Sequence, residues 1–189
     1  MKIGVFGGSF NPIHNGHIAL ARQLRQLANL DEIWLMVSPQ NPLKQGNNDL
    51  LDEQLRYQLV RLALHGEDGL RASNYELRLP KPSYTWHTLL HLKDDFPDDT
   101  FTLLIGGDNW NLFPHWYHSA DILREHQVVV YPRRGSDINH STLPHHVSVV
   151  NAELLDISST EIRQRVRMGK DIGIYVPKPI VSLVRRLYE

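Results

Sequence analysis

The sequence has no cysteine among its 189 residues. This absence excludes disulfides, thiol nucleophiles and zinc sites built on cysteine, and it fits a reducing compartment. No apolar run approaches the roughly 18 residues that a membrane span needs. Asn11, Pro12, His14 and His17 also interrupt the N-terminal apolar segment, so no secretory signal is predicted. We therefore expect a cytoplasmic protein.

Net charge is also nearly absent, because 20 Lys and Arg residues oppose 21 Asp and Glu residues, giving −1 when the 11 histidines are neutral. This balance argues against binding to nucleic acid or an anionic membrane through bulk charge. Any anion-binding site must be local, and residues 1–30 contain basic residues but no acid. We expect small-molecule substrates, with no nucleic-acid or membrane partner. Homo-oligomer formation stays open.

Apolar runs and helical periodicities alternate along the chain. Strands are predicted at Ile3–Phe6, Ile33–Val37, Leu70–Ser73, Thr100–Ile105, Gln127–Tyr131 and, less regularly, Val147–Val150; helices are predicted at 15–28, around 55–63, at Ser83–Asp94, from Ser158 to about Met168 and after Pro177. This order predicts an α/β fold, a Rossmann-like doubly wound parallel sheet with helices on both faces. Residues 1–189 are expected to form a single domain, with 157–189 as a small C-terminal helical part.

The turn after the first predicted strand contains Gly7, Gly8, His14, Gly16 and His17. Neither the dinucleotide fingerprint nor the P-loop pattern is present, so this turn needs another means of holding phosphate. Two histidines three residues apart in a first helical turn share one face, and Gly16 leaves room between them. We interpret them as a phosphate site that stabilises charge on a reacting phosphorus. A zinc pair and two surface histidines are the alternatives.

A second anion site is suggested by Ser158, Ser159 and Thr160, which begin a predicted helix with Arg163 one turn further on. Ser158 and Glu161 match a capping box. Free N–H groups, hydroxyls and a guanidinium together suit a phosphate group. A capped helix without a ligand is the alternative.

These segments resemble the motifs of a known family. The turn reading GGSFNPIHNGH is similar to the GG[ST]F[ND]PxHxGH motif of the nucleotidylyltransferase superfamily, and the whole chain resembles the bacterial nicotinate mononucleotide adenylyltransferases within it. Four further segments carry the likeness: Pro82–Thr85 (PSYT), Ile105–Asp108 with Phe113 and Trp116 (IGxD…FxxW), Ile157–Thr160 with Ile162 and Arg163 (ISSTxIR), and Tyr175–Pro177.

The resemblance implies transfer of AMP from ATP to nicotinate mononucleotide, giving nicotinate adenine dinucleotide (deamido-NAD) and pyrophosphate in NAD biosynthesis. It implies that Mg²⁺ is carried mainly by the ATP phosphates, with no protein metal site. It makes His14 and His17 the catalytic residues. The implied ATP-binding residues are Gly7, Gly8, Ser9, Phe10, Gly16, Lys44, Gly106, Asp108, Ile157, Ser158, Ser159, Thr160 and Arg163. The implied mononucleotide-binding residues are Ser38, Pro82, Ser83, Tyr84, Thr85, Trp116, Tyr117 and Arg133.

Several alternatives stay open at the level of sequence. Arg134 could meet the mononucleotide phosphate instead of Arg133, and loop 133–146 could move on binding. A sibling enzyme acting on nicotinamide mononucleotide or phosphopantetheine is the nearest rival. A nucleotide-binding module without turnover is a second, and a metal-binding protein using His140, His145 and His146 is a third.

Overall fold

Six parallel strands form one sheet in a computed structural model that describes residues 1–39 and 49–189. The strands are β1 (Lys2–Gly8), β2 (Glu32–Val37), β3 (Leu70–Ser73), β4 (Thr100–Gly106), β5 (Gln127–Tyr131) and β6 (Val147–Val149), and their order across the sheet is β3-β2-β1-β4-β5-β6. Every neighbouring pair is parallel. The order reverses between β1 and β4, which is the switch point where ligands bind beyond the carboxyl ends of the strands. The predicted doubly wound fold is confirmed.

Seven α-helices connect and flank the strands in the described part of the chain. They are α1 (Asn15–Leu27), α2 (Glu53–Ala63), α3 (Thr85–Asp95), α4 (Gly107–Leu112), α5 (Ser119–Glu125), α6 (Ser159–Arg167) and α7 (Val181–Tyr188). Short 3₁₀ helices lie at Tyr75–Arg78, Phe113–His115, His140–Thr142 and Lys178–Ile180. None of the helices described here is long and apolar enough to cross a membrane.

Alternating strand residues bury two separate hydrophobic cores, one on each face of the sheet. In β1, Phe6 packs into the core that also holds α1, α2, α6 and α7, whereas Ile3 and Val5 pack into the core that holds α3 and α5. Both faces are covered, which explains why the strands read as continuous apolar runs instead of alternating ones. The two cores together fix the carboxyl edge of the sheet.

The predicted apolar face of α2 is partly wrong. Helical spacing in the sequence predicts one buried face formed by Leu55, Leu59, Leu62 and Ala63. In the structure, however, the exposed fractions of Leu55 and Leu62 are 40% and 42%. The buried face instead consists of Arg56, Leu59, Val60 and Ala63. These residues follow the spacing i, i+3, i+4, i+7, so a guanidinium occupies a position that helical periodicity alone reserves for an apolar side chain.

Two further differences concern helix positions. Periodicity does not locate α4 and α5 between β4 and β5, because these helices have only six and seven residues. In the predicted capping box of α6, Ser158 accepts a hydrogen bond from the Glu161 backbone N–H at 3.1 Å. Among the described residues, the Ser158 backbone N–H does not donate in return to the Glu161 side chain, so only one of the two hydrogen bonds of the capping box is present.

Candidate active site

His14 and His17 lie where β1 ends and α1 begins, at the carboxyl edge of the sheet. Their imidazole rings are stacked, with centroids 3.6 Å apart. Nδ1 of His17 accepts the His14 backbone N–H at 3.1 Å, and Nδ1 of His14 accepts the His17 backbone N–H at 3.3 Å. The two imidazoles therefore form a reciprocal cap for α1, in the arrangement that serine and glutamate usually make.

This cap determines which ring nitrogens carry protons. Because each Nδ1 accepts a hydrogen bond, the proton of each neutral ring must lie on Nε2. Burial, helped by the positive charge of Arg133, lowers the pKa of His14 to about 4. Burial also lowers the pKa of His17 well below its usual value, and the nearby His14 and Arg133 lower it further. Both residues are thus neutral at pH 7 and offer Nε2–H donors.

Gly16 is required by the position of the His14 ring. A Cβ atom at residue 16 would lie 2.9 Å from two atoms of that ring, which is closer than side chains approach. Any larger residue must displace the imidazole. Gly16 therefore leaves room for the His14 imidazole, in the way that its position between the two histidines suggested.

The histidines open onto a cavity of about 560 Å³ at the carboxyl edge of the sheet. Fourteen site residues named from the sequence line it: Gly7, Gly8, Ser9, Phe10, His14, Gly16, His17, Asp108, Arg133, Arg134, Ile157, Ser158, Ser159 and Thr160. It is also lined by Asn109, Tyr131 and Asp156, which the sequence motifs did not indicate. Asn109, Tyr131 and Asp156 each lie within two residues of a predicted site residue, and this proximity in sequence is the signal that could have identified them.

The start of α6 contacts the histidine-bearing loop directly. Ser159 Oγ donates to the Pro12 carbonyl at 2.9 Å. Arg163 Nη1 donates to the Asn11 carbonyl at 2.8 Å, and its Nη2 donates to Thr160 Oγ1 at 3.3 Å. Ser158, Ser159 and Thr160 line the cavity, but Arg163 does not. The guanidinium of Arg163 therefore braces the loop in this structure.

Basic and acidic side chains meet at the ends of β4 and β5. Arg133 Nε lies 3.7 Å from Asp108 Oδ1, and Arg134 Nη1 lies 3.1 Å from Asp156 Oδ1. Gly106 allows the first pair to approach, because a Cβ there would lie 2.7 Å from Asp108 Oδ1 and from Arg133 Cγ. Arg133 is the arginine whose charge acts on both histidines.

Two of the predicted mononucleotide residues, Tyr84 and Tyr117, form a separate aromatic cluster with His87. The Tyr84 and Tyr117 ring centroids are 4.6 Å apart, and His87 lies 5.3 Å from Tyr117. Trp116 is half-buried and packs on Phe113 at 5.2 Å. The cluster surrounds the start of α3, where the first backbone N–H groups of a helix are free to bind an anion. It does not line the 560 Å³ cavity.

The remaining predicted residues lie elsewhere. Pro82 and Ser83 precede α3 beside this cluster. Ser38 follows β2, and its backbone N–H donates to the Gly8 carbonyl at 2.9 Å. Lys44 lies outside the described residues. Within residues 1–39 and 49–189, no group of three or more His, Asp or Glu side chains is placed to hold a metal ion.

Comparison with known proteins gives consistent matches over nearly the whole chain. The cytidylyltransferase-like family model matches residues 5–165. A probable nicotinate-nucleotide adenylyltransferase of Bacteroides fragilis is 47% identical, over 93% of this chain and 87% of that protein. One from Cytophaga hutchinsonii is 44% identical, over 100% and 99%. The fold is similar to that of Plasmodium falciparum nicotinic acid mononucleotide adenylyltransferase complexed with NaAD, with a TM-score of 0.78, 21% identity and coverage of 99% and 97%.

Proposed function

Because the chain belongs to the cytidylyltransferase-like family, we propose that it transfers AMP from ATP to nicotinate mononucleotide, with release of pyrophosphate. The names of its relatives, which are up to 47% identical over most of the chain, support this acceptor. The observation that carries the proposal is the capped histidine pair, which directs two neutral N–H donors from a helix start toward a cavity at the switch point of the sheet. The product is nicotinate adenine dinucleotide, an intermediate of NAD biosynthesis.

The reaction forms one bond and breaks one. An oxygen of the mononucleotide phosphate attacks the α-phosphorus of ATP, and the bond from that phosphorus to the β-phosphate oxygen breaks. The nucleophile is already anionic at pH 7, so no general base is needed. Catalysis then rests on in-line positioning and on neutralising charge in the transition state. The Nε2–H groups of His14 and His17 donate to the phosphoryl oxygens as that charge develops.

Two helix starts bind the ATP phosphates in this proposal. His14, Gly16 and His17 belong to the first, and Ser158 to Thr160 belong to the second, with Ile157 beside them. The backbone of Gly7 to Phe10 and of Gly106 allows the nucleotide to approach the strand ends, and Asp108 contacts the ribose. We propose that Lys44 reaches the triphosphate. Arg163 supports this site through Asn11 and Thr160, with a direct phosphate contact on ligand binding.

The aromatic cluster and Trp116 together bind the mononucleotide in this proposal. Trp116 stacks on the pyridine ring, since an electron-rich indole face suits an electron-poor ring. Pro82 to Thr85 and Tyr117 surround the carboxylate, which the first backbone N–H groups of α3 bind. We assign the phosphate contact to Arg133 over Arg134, because only the charge of Arg133 acts on both histidines. Ser38 completes this side of the site.

Mg²⁺ enters with ATP in this proposal, held mainly by the phosphate oxygens, whose negative charge it neutralises. The two acidic side chains that line the cavity, Asp108 and Asp156, are each paired with an arginine, which fits a metal held by substrate. ATP and pyridine mononucleotides are supplied in the cytoplasm, and we place the enzyme there.

A substrate panel tests the proposal. The purified protein is given ATP and Mg²⁺ with nicotinate mononucleotide, its amide or phosphopantetheine, and pyrophosphate and the adenylylated product are measured. We expect the highest kcat/KM with nicotinate mononucleotide. Preference for the amide or for phosphopantetheine would overturn the acceptor, and saturable ATP binding without pyrophosphate from any acceptor would indicate a binding module.

A further inference from the structure

The loop between β1 and α1 is fixed by polar side chains, and most of these, including Arg56, Arg163 and Tyr188, do not line the cavity. This loop, residues 9–13, carries His14 at its end, so its path determines where both imidazoles lie. Its contacts come from α2, α6, α7 and the segment before α2. A loop held from four separate places cannot shift without breaking several hydrogen bonds.

Asn11 is the centre of these contacts, and only 6% of it is exposed. Its side-chain nitrogen donates to the Asp49 carbonyl at 2.8 Å. Its Oδ1 accepts from the Leu51 backbone N–H at 3.1 Å and from the Tyr188 hydroxyl at 2.8 Å. Tyr188 lies at the end of α7 and is itself 95% buried, since its exposed fraction is 5%. The penultimate residue of the chain thus bonds to the loop that begins the site.

Arg56 supplies a second connection to the same loop. It has no exposed surface, and its Nη1 donates to the carbonyls of Ser9 at 2.6 Å and Ser38 at 3.0 Å. Its Nε donates to the Leu51 carbonyl at 2.8 Å. Nη2 finds no hydrogen-bond partner among the residues described. One guanidinium therefore joins the chain just beyond β1 to the chain just beyond β2.

The burial of Arg56 is costly for stability. Among the described residues no carboxylate forms an ion pair with Arg56, although the charges of Glu53 and Asp52 act on it from further away. Burial lowers the pKa of its guanidinium, so the three carbonyl contacts only partly offset the desolvation penalty. A leucine in the same helical position would bury without that penalty. The guanidinium is nevertheless the group that can hold three carbonyls at once, because its donors form a rigid planar fork.

We propose that Tyr188 and Arg56 are positioning residues that act through Asn11 and Ser9. They hold the loop so that the Nε2–H donors of His14 and His17 lie where the α-phosphate reacts. This inference rests on the proposed adenylyl transfer. Neither residue touches substrate, so their loss changes the rate of the chemical step more than the binding of ATP or mononucleotide.

The test begins with Tyr188→Phe, which removes a single hydroxyl. We expect kcat to fall about tenfold, with the KM values for ATP and nicotinate mononucleotide within twofold of wild type. Tyr57→Phe is the matched control, because Tyr57 is a half-buried tyrosine on α2 that packs against the same core, and its kcat should stay at the wild-type value. A Tyr188→Phe protein with wild-type kcat would overturn the inference. So would a purely structural effect, in which the melting temperature falls and kcat does not.

A double-mutant cycle tests the route through Asn11. If Tyr188 acts through the Asn11 amide, Tyr188→Phe should reduce kcat no further in an Asn11→Ala background. If the two losses of kcat multiply in the double variant, Tyr188 acts independently of Asn11 and this route is overturned.

Arg56→Lys keeps the positive charge but loses the planar fork of guanidinium donors, so it should lower kcat as Tyr188→Phe does. Arg61→Lys, at an exposed position on the same helix, should leave kcat unchanged.

A readout independent of turnover separates this inference from the proposed function. The ring resonances of His14 and His17 in NMR spectra should shift in Tyr188→Phe and stay unchanged in Tyr57→Phe. Wild-type protein that makes no pyrophosphate in the substrate panel would remove the proposed function, and the ring shifts would still report the positioning of the loop. Unshifted rings in Tyr188→Phe would overturn the positioning role even in an active enzyme.

Discussion

His14 and His17 each have two roles, which are capping α1 and placing a proton on Nε2. Each imidazole caps α1 through Nδ1, and the same hydrogen bonds fix the proton of the neutral ring on Nε2. Capping and proton placement are therefore one structural feature. Asn and Gln also carry an acceptor and a donor, but both belong to one amide group, so an amide that caps the helix does not place its donor where the imidazole Nε2 lies.

Substitutions that keep the cap but remove the imidazole separate these functions. Asn is a favoured N-cap residue, and Gln at the third helical position completes a capping box. We expect His14→Asn and His17→Gln each to lower kcat by about 10²- to 10³-fold, the usual effect of losing a donor to a developing anion. The melting temperature should stay close to that of the wild type. Steady-state kinetics and thermal unfolding measure the two effects.

His65→Asn is the control for this pair, because His65 is exposed beyond the end of α2 and should leave kcat unchanged. Near-normal turnover in His14→Asn and His17→Gln would remove the imidazoles from the mechanism. A large fall in melting temperature with wild-type turnover would leave them a capping role alone.

The sequence predicted the residues that line the cavity better than those that support it. His14, His17 and Ser158 lie in motifs at the ends of strands or the starts of helices, where free N–H groups are expected. Arg56 and Tyr188 have no such signal, because their importance comes from carbonyls and amides distant in sequence. Arg56 gives one signal in the sequence, because it is a charged residue at helical spacing from the apolar residues Leu59, Val60 and Ala63 of α2.

At the scale of elements, α2 shows how periodicity can select the wrong face. Leu55, Leu59 and Leu62 are spaced as helical neighbours, yet the helix is rotated so that Leu55 and Leu62 are largely exposed. In this orientation Arg56 reaches the carbonyls just beyond two strand ends, and Val60 is buried in place of the two leucines. Periodicity alone does not distinguish the two faces, because Leu59 and Ala63 belong to both.

Substitutions on α2 test this orientation. Leu59→Ala should lower the free energy of unfolding by about 2–5 kcal/mol, because it leaves a cavity in the core. Leu55→Gln and Leu62→Gln should each change it by no more than about 0.5 kcal/mol, as expected for surface positions. Urea unfolding measures all three variants, and comparable losses at Leu55 and Leu59 would contradict the observed face.

The strands and the long helices were predictable, and the short helices were not. Buried strands such as β2 and β4, and the longer helices α1 and α3, are defined by runs of apolar or periodic residues. Helices α4 and α5 are too short to show a period, and His118 at the start of α5 adopts a left-handed conformation with φ of 54°. Packing against the rest of the fold, and not local sequence, forms these helices.

At the scale of the whole molecule, the near-neutral charge corresponds to charge pairing at both edges of the sheet. At the amino edge, Asp31 accepts from the Lys2 backbone N–H and Asp99 pairs with the N-terminal amine. At the carboxyl edge, Arg133 and Arg134 border the cavity and pair with Asp108 and Asp156. Anion binding at that edge therefore rests on the N–H groups of helix starts and on neutral imidazole donors, and not on an excess of positive charge.

Burial keeps several histidines neutral in the folded state, which makes the stability of the whole molecule depend on pH. Burial lowers the pKa of His14 to about 4 and also lowers the pKa values of His17 and His126. In the unfolded chain, histidine takes up a proton near pH 6.5. Between these values the unfolded state binds more protons, so the free energy of unfolding falls as pH falls. A histidine that stays neutral in the folded state contributes a loss of about 1.3 kcal/mol between pH 7.5 and 5.5.

We therefore expect wild-type protein to lose stability in urea when the pH is lowered from 7.5 to 5.5. The double variant His14→Asn/His17→Gln should lose less, since it lacks two of the three histidines whose pKa values are lowered. Glu76 acts in the opposite direction, because burial raises the pKa of its carboxyl and acid favours its protonated folded form. That contribution is common to both proteins and cancels in their difference. The same pH dependence in wild type and double variant would mean that the two imidazoles are already protonated at pH 5.5 in the fold, and that the buried neutral pair does not exist.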